Sequence, residues 1–68
     1  MKAVSGTRFA KLLKAHGWEL ARINGSHHIY TKIGETARIS LPIHGNKALK
    51  TGLQRHLMRL AGIEESEL

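Results

Sequence analysis

Histidine is the side chain best suited to moving a proton near neutral pH, and this 68-residue chain has five: His16, His27, His28, His44 and His56. Metal binding is a poor use for them. His27 and His28 are adjacent, so on a strand they point to opposite faces and do not share an ion. His16, His44 and His56 show no H-x-x-x-H spacing, and the chain has no cysteine to supply a thiolate ligand or nucleophile. Acid–base chemistry fits better. His27 stands just after Asn24-Gly25-Ser26, where a tight turn opens a strand and a side chain is held at a surface. RNA carries its own nucleophile, the 2′-hydroxyl. A protein that cuts it has only to remove that proton, steady the phosphorane charge and protonate the leaving oxygen, with no metal or cofactor. The competing reading makes His27 and His28 ordinary exposed sheet residues. His44 follows Pro42-Ile43 and opens a basic loop, where it caps a turn or meets a phosphate.

The charge balance supports a polyanionic partner. Eleven Lys and Arg face five Asp and Glu, a net +6. Glu64, Glu65 and Glu67 crowd the C-terminus, so residues 1–63 hold eleven basic against two acidic side chains, or +9. A field of that sign on so small a body draws nucleic acid, with anionic membranes as the competitor. Lys32, Arg38, Lys47 and Lys50, with His44, are the expected RNA-binding residues. Apolar runs are far below the roughly 20 residues that span a bilayer, and the Met1-Lys2-Ala3-Val4 start lacks a signal-peptide core. These features, with the missing cysteine, fit a cytoplasmic protein with no membrane partner.

The elements that must position these residues read as helix, three strands, helix. Ser5 is an N-cap, Val4 and Phe9 have hydrophobic-staple spacing, and Phe9, Leu12 and Leu13 form one stripe. Gly17 stops that helix, and Trp18 is placed to pack back on Leu13. Strands are expected over 18–24, 27–32 and 36–43. Asn24-Gly25 marks the first hairpin, a second turn lies at Gly34-Glu35, and Pro42 must sit at a strand end or edge. If Ile29 faces the helices, alternation takes His27 with it and turns His28 and Tyr30 outward. His27 remains the candidate because the first residue of a strand need not obey the rule. Thr51 and Gln54 have the spacing of a capping box, Leu53, Leu57, Met58, Leu60 and Ala61 form an apolar face, and Gly62 ends the last helix. The expected fold is α+β, an α-β-β-β-α double-stranded-RNA-binding-domain-like arrangement: a three-stranded antiparallel sheet with two helices on one face. The domain covers 1–63, with 64–68 as a short acidic tail, either loose or a fragment of a further turn.

The stretch Ser5-Gly6, Lys11-Leu12-Leu13, Gly17-Trp18-Glu19-Leu20, Arg22-Ile23, Gly25-Ser26-His27-His28-Ile29 resembles the HicA family, as does Pro42-Ile43-His44-Gly45-Asn46-Lys47 with Leu49-Lys50 and Leu60-Ala61-Gly62-Ile63. The resemblance covers residues 1–63. It implies an mRNA interferase toxin of a type II toxin–antitoxin pair, cutting RNA without a metal through one histidine of the Gly25-Ser26-His27 motif. His27 is then the catalytic histidine, with His28 as the fallback and Gly25 and Ser26 setting its position. It also implies a HicB-type antitoxin that covers the site. A non-catalytic RNA-binding module of the same fold is the alternative.

Overall fold

The computed structural model describes all 68 residues. Helix α1 (Gly6–Ala15) leads to strands β1 (Glu19–Asn24), β2 (His27–Thr31) and β3 (Ile39–Pro42), then to α2 (Thr51–Ala61) and a 3-10 turn over Glu65–Glu67. The strands form one antiparallel sheet in the order β1-β2-β3. Phe9, Leu12 and Leu13 of α1, Leu57, Met58 and Ala61 of α2, and Tyr30, Ile39 and Leu41 of the sheet are buried in one cluster. Both helices therefore cover the same sheet face, and the fold is the expected α+β double-stranded-RNA-binding-like arrangement.

The first helix follows its sequence signals. The Ser5 side chain accepts from the Arg8 N–H at 3.1 Å, and Val4 and Phe9 are both buried. At the other end the Trp18 N–H donates to the Leu13 carbonyl at 2.9 Å, which folds the indole into the core. That bond explains why β1 begins at Glu19: residue 18 is still closing the helix.

Five expectations need correction. On β2 it is Tyr30 that faces the helices, paired with Ile39, while Ile29 lies on the other face opposite Ser40. The aromatic ring has more area to hide than Ile29, and pairing with Ile39 puts it in the core. Strand β3 is shorter than 36–43: it runs Ile39–Pro42, and because β2 ends at Thr31 the register leaves Thr36 and Ala37 with nothing to pair with. Lys32 likewise falls outside β2, its carbonyl accepting from the Glu35 N–H in the second turn. Gln54 closes no capping box. Lys50 is the N-cap residue with no side-chain bond, and Gln54 is fully buried. Its Oε1 accepts from the Val4 N–H at 3.1 Å and its Nε2 donates to the Lys2 carbonyl at 2.7 Å, so the amide acts as a short strand partner for the N-terminal segment. Leu60, assigned to the apolar face, is exposed.

The tail is the fragment of a turn rather than a loose end. Glu67 accepts from the Glu64 N–H and contacts the His16 ring at 2.5 Å, and Arg8 donates to the Glu67 carbonyl. The Glu64 N–H bond, and then the His16 contact, lower the Glu67 pKa below the usual carboxylate range.

Candidate functional site at the β2–β3 end

Asn24 and His27 face each other across the two-residue loop Gly25-Ser26. Gly25 has φ +63°, and no residue other than glycine has positive φ. Positive φ at only the first loop position is the pattern of a type II′ turn, in which glycine is preferred there. A Cβ at Gly25 would meet nothing within 4 Å, so its requirement is conformational rather than steric.

The next contact fixes His27 from the other side. The Ile43 N–H donates to the Ser26 carbonyl at 2.9 Å, and His27 pairs with Pro42. His27 and Pro42 are therefore a non-hydrogen-bonded pair, in which Cα atoms approach to about 4.5 Å and side chains sit close. This also explains how proline ends an edge strand here: at this position no ladder donor is needed. The side chains of His27 and Pro42 share the open face of the sheet, away from the helices. His27 is exposed. His28 has the opposite orientation, half-buried on the helix side between its cross-strand partners Ile23 and Leu41.

Pro42 is also a wall of a cleft of about 380 Å³, whose other lining residues include His44, Lys47, Lys50 and Leu53. The loop forming this cleft is strapped to the N-terminal segment. Leu49 N–H donates to the Val4 carbonyl, Ser5 bridges Ala48, and the Thr7 hydroxyl donates to the Gly45 carbonyl. Gly6 lies beneath it so closely that a Cβ would stand 2.5 Å from the Pro42 carbonyl oxygen. A glycine in the first turn of a helix, where no positive φ is called for, was the sequence signal for this close approach.

The fold thus brings His27, His44, Lys47 and Lys50 to one end of the sheet, with Gly25 and Ser26 forming the turn behind His27. Lys32 and Arg38 lie at the other end. Lys32 is five residues along the chain from His27, roughly 16 Å at strand spacing, and its aliphatic chain runs past Gly17. Arg38 precedes Ile39, the β3 residue farthest from Pro42.

The basic charge is not spent internally. The two ion pairs, Met1 amine with Glu65 and His16 with Glu67, use no lysine or arginine side chain. All eleven Lys and Arg are thus free of carboxylate partners, and of them only Arg8 makes a side-chain hydrogen bond within the chain, to the Glu67 carbonyl. No three His, Asp or Glu side chains come together as a metal-binding set. Burial pushes the Tyr30 phenol up, so the one tyrosine stays protonated beneath the sheet.

The family model described as HicA toxin of bacterial toxin–antitoxin matches residues 6–63. The chain belongs to the HicA toxin family. Membership makes it the toxin half of a toxin–antitoxin pair, in a family whose members cleave mRNA, with RNA as substrate and a cognate antitoxin as partner. A comparison with individually curated proteins returns no match. The matched span contains the Gly25-Ser26-His27 turn, Pro42 and the whole basic cleft. It ends at Ile63, before the 3-10 turn. No helix of the toxin is long and apolar enough to cross a membrane.

Proposed function

We propose that the toxin is a metal-independent endoribonuclease in which His27 is the general base. The observation that carries this reading is the position of His27, exposed on the open sheet face opposite Pro42, which itself lines the cleft bearing Lys47 and Lys50. A phosphate held by those ammonium groups presents its ribose to the imidazole. His27 takes the proton of the 2′-hydroxyl, the 2′-oxygen attacks the adjacent phosphorus, and the chain breaks to a cyclic phosphate and a free 5′-hydroxyl. The ammonium groups offset the charge that builds on the phosphorane oxygens. Lys32 and Arg38 contact the strand farther along the sheet. Action on mRNA places the reaction in the cytoplasm. The partner is a HicB-type antitoxin with an acidic face that covers His27 and the cleft. Charge complementarity of this kind speeds association at low salt.

The test is incubation of the purified toxin with RNA in chelator, beside His27→Ala and a substrate lacking the 2′-hydroxyl at the cut nucleotide. Cutting is lost in both cases while binding persists, because phosphates carry most of the affinity. A deoxy substrate cut at the normal rate rules the mechanism out. RNA bound but never cut, under any condition, makes the protein a binding module of the same fold.

A further inference from the structure

Cleavage by a 2′-hydroxyl needs two proton transfers, and His27 accounts for one. We infer that His44 supplies the second, as the general acid that protonates the departing 5′-oxygen. This rests on the reading of His27 as the base. Pro42 is the cross-strand neighbour of His27 and lines the cleft together with His44. His44 is two residues beyond Pro42, at most about 7 Å along an extended chain. The two imidazoles therefore flank Pro42, His27 from β2 and His44 from the loop that follows β3.

Other groups are excluded by position or chemistry. His28 is on the opposite face of the sheet, between Ile23 and Leu41. His16 is engaged with Glu67 at the end of α1. His56 is exposed on α2, a helix on the face of the sheet opposite to that of His27. Lys47 and Lys50 share the cleft, but their ammonium groups already hold the phosphate and offset the phosphorane charge. The His44 loop is also held in place. The Thr7 hydroxyl holds the Gly45 carbonyl and the Lys47 N–H donates to the His44 carbonyl at 3.0 Å.

The proposed step balances. The proton of the 2′-hydroxyl moves to neutral His27 as the bond from the 2′-oxygen to phosphorus forms. The bond from phosphorus to the 5′-oxygen breaks, and that oxygen takes a proton from His44. The histidines end with exchanged protonation states, which solvent resets.

An RNA with sulfur in place of the 5′-oxygen, at a linkage the toxin cuts, separates the two roles, because a thiolate departs without being protonated. His44→Ala is expected to cut the ordinary RNA about 10²–10⁴-fold more slowly than the wild type, yet to cut the sulfur RNA within a few-fold of it. His27→Ala stays slow on both. Recovery on the sulfur RNA also shows that His44→Ala is folded. If His44→Ala is slowed equally on both RNAs with a native circular dichroism spectrum, His44 only binds phosphate and the inference fails. If that variant loses its fold, His44→Gln is carried through the same pair of RNAs and judged by the same outcomes. Unimpaired cutting of ordinary RNA by either folded variant also overturns the role. Normal cutting by His27→Ala would instead overturn the reading of His27.

Discussion

The two edges of the sheet are built in opposite ways. All six residues of β1 are exposed, including the apolar side chains of Leu20 and Ile23, and a bulge between Leu20 and Arg22 breaks its register. At the other edge, Ile39 and Leu41 of β3 are fully buried. The β3 exit is tied to Ser26 by Ile43 and pressed against Gly6, and the chain that follows is strapped to Val4, Ser5 and Thr7. His27, the proposed base, is on the central strand, and the residues proposed to complete its site come from the fastened edge. Acid–base groups work only when held at a set distance from the reacting atoms. The tight edge supplies that constraint, and the loose edge leaves a surface on which sequence can vary without disturbing it.

The strongest way to break this contrast is at the reacting group itself. His27→Ala should lower the cleavage rate about 10²–10⁴-fold with little change in thermal stability, because the side chain is exposed. Ile23→Ser on the free edge should leave single-turnover cutting within a few-fold of wild type. Equal losses in the two variants would remove the distinction between the edges.

A smaller effect is expected from tightening the fastened edge. In Gly6→Ala the new methyl meets the Pro42 carbonyl, and backbone must move. Overpacking of this kind costs about 1–3 kcal/mol. Denaturant midpoints should fall, and cutting should fall with them because Pro42 neighbours His27. Gln54→Leu removes the partner of the buried Val4 N–H, at a cost of about 1–3 kcal/mol. Its effect should be on stability, with cutting by the folded fraction preserved.

The two ends of the sheet can be compared through salt. On single-stranded RNA, log K falls with log salt by about 0.7 for each phosphate neutralised. Removing Lys47 and Lys50 should shrink that slope and slow cutting. Removing Lys32 and Arg38 should shrink the slope alone. Binding titrations at several salt concentrations, alongside rates at saturating RNA, distinguish the two pairs.

The smallest effect belongs to the tail. The Glu67 pKa is lowered in the folded protein, so its contribution to docking the 3-10 turn is present above the ordinary carboxylate pKa and is lost as pH falls through the folded value. Tail resonances followed by NMR should shift on acidification below about pH 4.5. Glu67→Gln should remove that acid-dependent step, with little effect on global stability since the pair is partly exposed.

Much of this was legible from local patterns. The Ser5 cap, the Phe9-Leu12-Leu13 stripe and the glycine stop before Trp18 each act over a few residues, and each formed in place; the hairpin signalled by Asn24-Gly25 formed too, with Gly25-Ser26 as its loop. Non-local choices were not legible in the same way. Alternation along β2 allows either face to be buried. Only pairing Tyr30 with Ile39 and His28 with Leu41 decided that His27 looks outward. The spacing of Thr51 and Gln54 matched a capping box, but the buried amide found better partners about fifty residues away at Lys2 and Val4. His16 and Glu67 are likewise distant in sequence and adjacent in space. The sequence by itself determined the element order, the basic charge and the histidines available for chemistry, because propensity, capping and composition depend on near neighbours. The tertiary structure alone decided that His27 faces away from the helices while His28 faces them, and that the His44 loop is fastened beside Pro42, because strand register and the packing of Gly6 under Pro42 join segments that no local pattern connects.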